Sequence, residues 1–363
     1  MMMVIERRWR FFTKVRILGW CFLTVLPVLF AAPANAREFK VGVLYWSMNI
    51  PGQVAMRKGL EAEAESLNKA AAMADKATVK LDEHVAGDGE AGIENQIRQM
   101  TELVTNHVDI IIVQPTDNAA LAEPLKAANK AGIPVVAYDQ YINGGHLAAY
   151  RTSDNYQAGY LDGEYIASRF SKGREIRLVL VEYPHVSSTV ERVNGFLDAL
   201  QESDVRYKIL KSYTAVEPAG GRKAAENILH DFPKAGSIDA IFTVNDGGGL
   251  SVVKELSAAG RNEIMAATID GDPASVENIR AKRLTVIDSA QFCGPLGAEA
   301  MKAAYALLTG GKPPYYALVP VFPVTRETLD LYPGWQGPIP AAFKKPWKSH
   351  QPEWLGTIRI VKQ

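Results

Sequence analysis

The sequence predicts an α/β protein with two similar lobes, each built on a parallel sheet, and two observations carry that prediction. After an N-terminal leader the chain alternates short β-branched apolar runs with longer stretches of helical period. Such alternation implies parallel strands covered by helices on both faces. The alternation then runs through a second time, and the roughly 327 residues that follow Ala36 exceed what one core of ordinary size takes up.

The leader occupies residues 1–36. Arg7, Arg8, Arg10, Lys14 and Arg16 form a cationic start, Ile17 to Ala32 an apolar run, and Ala34-Asn35-Ala36 the small residues a signal peptidase needs. The run is broken by Pro27 and falls short of the roughly 20 residues that span a bilayer. It therefore reads as an export signal cleaved after Ala36, with Cys21 discarded along with it. Arg7-Arg8 also fits twin-arginine export, so the route stays open between that pathway and the general one.

The elements follow in order. Strands are expected at 39–45, 79–85, 109–113, 133–138 and 147–151, with helices from Pro51 to about Leu67 and near 90–106, 117–130 and 155–170. The second series has strands at 176–182, 207–213, 240–244, 264–269 and 284–288, and helices near 188–202, 219–231, 248–258, 273–281 and 295–309. The segment 333–363 carries Trp335, Trp347 and Trp354 among many prolines, a composition that makes no regular helix. It is expected either to wrap across a lobe or hinge, or to present its aromatics to a membrane partner.

Composition narrows the function. The leader holds five of the 40 basic residues and one of the 40 acidic ones, which leaves 35 basic against 39 acidic. That balance, with no basic run, argues against nucleic acid. Cys293 is left without a partner for an intramolecular disulfide and reads as a small buried hydrophobe. The motifs Gly-x-Gly-x-x-Gly, Gly-x-x-x-x-Gly-Lys-Ser/Thr and Gly-x-Ser-x-Gly do not occur where their chemistry requires them, and the six histidines lack metal-ligand spacing. No enzyme activity, metal or cofactor is expected.

In parallel sheets a ligand lies outside the carboxyl ends of the strands. The loops there carry Asn49, Gln114-Pro115-Thr116-Asp117, Asp139-Gln140, Asn245-Asp246 and Asp270-Gly271-Asp272. Thr116, Asp117, Asp246 and Asp272 also suit helix caps and turns. Asp139 and Asp270 differ because each directly ends an apolar strand, Val135-Val136-Ala137-Tyr138 and Ala267-Thr268-Ile269, which aims the carboxylate at the sheet's mouth. Tyr45, Trp46 and Tyr183, at strand ends, offer flat apolar faces to a ligand or simply pack.

Seven segments in order carry a resemblance: Ile112-Val113-Gln114-Pro115-Thr116-Asp117, Ile133 to Asp139, Ser153-Asp154-Asn155, Glu191 to Phe196, Phe242 to Asp246, Ile269-Asp270-Gly271 and Ala290-Gln291. Together they resemble the ribose-type periplasmic sugar-binding proteins, from Phe39 to about Tyr332. The resemblance implies a type 1 periplasmic binding fold: two Rossmann-like lobes hinged by three crossovers, near Thr152-Ser153, Gln291 and Pro320. The expected N-terminal lobe is 37–152 plus 292–320, and the C-terminal lobe 153–291 plus 321–332. It also implies ligand contacts from Trp46, Asn49, Gln114, Asp139, Tyr183, Arg192, Asn245, Asp270 and Gln291. Gly52 and Gln53 depart from the family's aromatic residues, Gln140 from an arginine and Val216 from an aromatic, so ribose itself is not the expected ligand. Tyr138-Asp139 with Tyr141-Ile142-Asn143 is more similar to the xylose-binding branch.

The function implied is a monomeric periplasmic binding protein that captures a small sugar or polyol and delivers it to the permease of an ABC importer. The alternative is a sensor adaptor of the same fold that docks on a histidine kinase or chemoreceptor. The leader and the lack of a DNA-binding helix pair argue against a transcription regulator on this core.

Overall fold

The first five strands, β1 (Glu38–Tyr45), β2 (Thr78–Val85), β3 (Ile110–Val113), β4 (Val135–Tyr138) and β5 (Ala149–Ser153), build one parallel sheet. Helices α1 (Pro51–Met73), α2 (Gly89–Thr105) and α3 (Ala122–Lys130) connect them. This is a computed structural model that describes residues 37–171 and 173–362. The leader and its expected cleavage point lie outside the described residues.

After α4 (Asn155–Ser168) a second parallel series begins: β6 (Glu175–Glu182), β7 (Arg206–Thr214), β8 (Ala240–Thr243), β9 (Met265–Asp270) and β10 (Thr285–Gln291). It alternates with α5 (Ser187–Glu202), α6 (Pro218–Asp231), α7 (Asp246–Ala258) and α8 (Pro273–Arg280). Helix α9 (Cys293–Leu308), β11 (Tyr316–Val319) and β12 (Val321–Thr325) follow. The sheets have corresponding strand orders, β2-β1-β3-β4-β5-β11 and β7-β6-β8-β9-β10-β12. In both, the central strands are buried throughout, as Ile110–Val113 and Ala240–Thr243 are, because helices cover both faces.

The chain changes lobe three times. At Ser153-Asp154 it leaves β5 for α4, which lies against β9, β10 and β12; after Gln291 it returns in α9, which lies against β3, β4 and β5; at Pro320 it passes from β11 to β12. The first helix of each lobe packs on the helix that enters that lobe by a crossover: α1 on α9 and α5 on α4. Both pairs approach closely through glycine. A Cβ on Gly297 would stand 1.9 Å from the Met56 carbonyl oxygen, and one on Gly159 only 1.8 Å from the carbonyl oxygen of Arg192.

Several boundaries differ from those the sequence suggests. The helix expected from 117 starts at Ala122, because the Asp117 carboxylate accepts from the Ala119 and Ala120 amides and holds a turn first. The strand expected at 147–151 lies at Ala149–Ser153, and α1 runs on to Met73 through an alanine-rich stretch that favours helix. Beyond residue 332 the chain adds a ribbon of β13 (Phe343–Lys344) with β14 (Glu353–Trp354), then β15 (Arg359–Val361), antiparallel to β11 at the edge of the first sheet.

That last segment is tied down by polar contacts. Glu164 of α4, fully buried, accepts from Lys345 Nζ at 2.7 Å, Trp347 Nε1 at 3.0 Å and Ser349 Oγ at 2.5 Å. Trp354 is buried against Phe322 and Phe343 and donates to the Val321 carbonyl at 2.7 Å. The segment thus wraps over both lobes.

The glycine contact at α4–α5 is open to test. Gly159→Ala drives a methyl into the Arg192 carbonyl, and the overpacking is expected to cost about 1–3 kcal/mol in urea unfolding. An unchanged unfolding midpoint would show that the two helices separate freely.

Candidate functional site

Two strand ends face each other between the lobes. Asp139 follows β4 and Asp270 ends β9, and both have positive φ, +63° and +132°. An aspartate tolerates the left-handed region better than most residues, and both residues line the cleft between the lobes. The Asp139 peptide is held by β5: its amide donates to the Arg151 carbonyl at 2.8 Å, and its carbonyl accepts from Thr152 Oγ1 at 2.7 Å.

Around these carboxylates lies an internal space of about 30 Å3, room for little more than a water in this closed arrangement. Trp46, Asp139, Arg192, Asn245, Asp270 and Gln291 all line it. Arg192 is the centre of the polar wall. Its Nε donates to Asn155 Oδ1 at 2.9 Å, and its Nη1 to the Val244 carbonyl at 2.8 Å and to Asp270 Oδ1 at 3.0 Å. Gln291 Nε2 donates to the same Asp270 oxygen at 2.6 Å, while its Oε1 accepts from Ser153 Oγ at 2.6 Å. Two crossover residues thereby take part in the site. Asn245 lines the pocket and caps α7 as well, accepting from the Gly248 amide at 3.1 Å.

The other three expected residues lie outside the lining. Gln114 is fully buried behind Asp139, donating to its Oδ2 at 2.8 Å and accepting from the Trp46 amide at 3.3 Å, which suits a support for both. Asn49 is exposed and donates to Asp88 at 2.6 Å. Tyr183 packs against Trp46, with ring centroids 6.4 Å apart, and against His185.

The lining also includes Ile50, Gln53, Met56, Gln140, Val186, Ser188, Thr189 and Val216. Gln53, Gln140 and Val216 stand out in the sequence only as departures from a family pattern. Ser188 and Thr189 begin α5 in a run that reads as helix-start chemistry, and nothing in their spacing distinguishes them from a cap. The Ser188 hydroxyl is buried at the pocket without a hydrogen-bond partner in the protein. Of the loop acids, Asp272 does cap α8, accepting from the Ala274 amide.

The lobes are closed on one another. Across the cleft the Asn118 amide donates to the His185 carbonyl at 3.3 Å, Tyr141 N to Ser187 Oγ at 3.1 Å, Ser188 N to Gln140 Oε1 at 3.3 Å and Gly89 N to Glu217 Oε1 at 3.2 Å. Trp46 from the first lobe is buried against Val186 and Val216 of the second. One wall of the pocket is therefore apolar and the opposite groups are acceptors and donors in close pairs, an arrangement that fits a small molecule with adjacent hydroxyls and an apolar face.

Burial controls the charges. It pushes the Asp270 carboxyl up to about 6, against the pull of Arg192 and Gln291, and raises Asp139 against Arg192, Gln114 and Gln140. Behind Asp270, the fully buried Asp246 and Asp288 carboxyls are also raised: Asp246 by burial and then by Asp288 and Asp270, and Asp288 by burial against hydrogen bonds with Asp246 and Ser275. Asp246 accepts from Thr268 Oγ1 and the Asp272 amide, and Asp288 from the Gly271 amide. Among the described residues no group of His, Cys, Asp and Glu is arranged to hold a metal ion, and no helix is long and apolar enough to cross a membrane.

Carboxyls whose folded value lies above the unfolded 3.8 bind more protons when folded. Their contribution to stability is complete below about pH 4 and is lost as pH rises through the raised values. Urea unfolding at about pH 5 and about pH 8 is expected to find the protein less stable at the higher pH, with the difference narrowed in Asp288→Asn. Equal pH dependence in parent and variant would remove Asp288 from that account.

Comparison with known proteins agrees with this geometry. The model of the periplasmic binding protein domain family matches residues 41–312. The chain is similar to the ribose import binding protein of Bacillus subtilis, 27% identical over 280 residues that cover 76% of this chain and 85% of that one. Among solved structures it is similar to a periplasmic solute-binding protein from Actinobacillus succinogenes with bound D-allose, with a TM-score of 0.67 and 24% identity over 81% of this chain and 100% of that one. It is also similar to the Caulobacter myo-inositol binding protein, with a TM-score of 0.68 and 24% identity over 80% and 95%. The two lobes, their corresponding sheets and the match over most of the chain place it in one family: this chain belongs to the periplasmic binding proteins of the type 1 fold.

Proposed function

We propose that the protein is exported and captures a small sugar or sugar-like polyol between its lobes, delivering it in the closed form to the membrane permease of an ABC importer. The observation that carries this reading is the pairing of Asp139 and Asp270, one from each lobe, in a single small pocket with Arg192 and Gln291. Each carboxylate can accept from ligand hydroxyls, so a ligand that touches both favours the closed state over the open one. The apolar side, Trp46 with Val186 and Val216, suits the C–H face of a ring. Relatives named for ribose import support a sugar as the ligand class. The chemistry is binding without catalysis. The protein works as a monomer in the periplasm.

Calorimetry with D-ribose, D-xylose, D-allose and myo-inositol tests the reading. Asp139→Ala and Asp270→Ala are each expected to weaken the tightest interaction about 10- to 100-fold, because a hydrogen bond to a charged group is worth roughly 1.5–3 kcal/mol. If both variants bind as the parent does, or if no such compound binds, the assignment fails.

The affinity is also expected to decline below about pH 6, where Asp270 takes up a proton and loses its charge against Arg192. A flat affinity from about pH 7 to about pH 5 would remove the ionised carboxylate from the binding account.

Export carries its own check. N-terminal sequencing of the secreted form is expected to begin at Arg37; a start within the apolar run, or at Met1, would contradict cleavage after Ala36.

A further inference from the structure

Trp335 lies beyond residue 312, where the family match ends. Its indole Nε1 donates to the backbone carbonyl of Asp270 at 2.6 Å, and its own carbonyl accepts from the Gly294 amide in the first turn of α9 at 3.0 Å. The next residue, Gln336, donates to the Ala55 carbonyl in α1 at 2.9 Å. Two successive residues thus connect the Asp270 peptide, in the second lobe, to two helices of the first.

That peptide needs an external hold. Asp270 has φ +132°, a region that favours glycine, and such backbone persists only where its surroundings over-determine it. On its far side the Gly271 amide is fixed by Asp288 Oδ1 at 2.8 Å. Its counterpart Asp139 has its carbonyl held by Thr152 Oγ1 from the adjoining strand. At Asp270 that carbonyl is held by Trp335. The hold is itself anchored, because the same segment is fixed farther on by the buried Glu164–Lys345 pair at 2.7 Å.

We propose that Trp335 is a positioning residue of the ligand site: it fixes the Asp270 peptide, and so aims the carboxylate at Arg192, Gln291 and the ligand. The inference rests on the reading of the pocket as a sugar site, but the placement of Asp270 can be measured without a sugar. Trp335→Phe keeps a ring and removes the donor. Hydrogen exchange followed by mass spectrometry is expected to show the segment 270–272 exchanging at least about fivefold faster in this variant, with the segment around Asp139 unchanged. In calorimetry with D-ribose, D-allose and myo-inositol, the affinity for whichever binds the parent most tightly is expected to fall about tenfold.

Trp354→Phe removes a comparable indole donor, that to the Val321 carbonyl, and is expected to leave both readouts at the parental level. Unchanged exchange in Trp335→Phe overturns the proposal, and so does an equal effect in Trp354→Phe, which would mean that the whole segment had loosened. If none of the three compounds binds the parent, the sugar reading fails, and the exchange result alone decides the role of Trp335.

Discussion

The buried guanidinium of Arg192 is the group on which the arrangement of this molecule depends. It meets Asn155 at the start of α4, the end of β8 and the Asp270 carboxylate at once, so one side chain fixes a crossover helix, a strand and the site acid relative to one another. Alone in such surroundings the Asp270 carboxylate would be costly to keep ionised, since burial raises its pKa against the pull of Arg192 and Gln291. The glycine contact brings α5, which carries Arg192, against α4, which starts at Asn155. Backbone proximity and electrostatics are here a single design.

Closure follows the same logic at the other side of the pocket. The bonds across the cleft are few, come mainly from loop amides and hydroxyls, and are individually exchangeable with water. Bonds of that kind can be remade at little cost when the lobes part, whereas the charges deeper in the cleft need a partner whenever water is excluded. The rim therefore suits a reversible latch, and the interior supplies the discrimination.

Much of this was legible in the residues. The alternation of strand and helix showed the two lobes, and a carboxylate placed directly after an apolar strand marked Asp139 and Asp270, because strand direction fixes where such a side chain points. Arg192 and Gln291 were reached only through resemblance, since neither a helix-borne arginine nor a strand-end glutamine announces what lies opposite it. Ser188 and Thr189 were missed because serine and threonine at a helix start have an adequate local explanation. Strands β11 to β15 were missed for another reason: they are short, and long-range pairing rather than their own periodicity makes them strands. Trp335 belongs to the same class. Its partner is a carbonyl 65 residues away, and no local pattern records that.

The segment that wraps both lobes also orders assembly in time. The first sheet draws its strands from residues 38–153, from 316–319 and from 359–361, while Glu164 waits for Lys345 and Ser349. Neither lobe can therefore be completed cotranslationally by the part of the chain that starts it. Contacts of such sequence separation form slowly because the loop must close before they reward it. A nascent chain of this sequence stays incomplete, and so deformable, until nearly all of it has been synthesised.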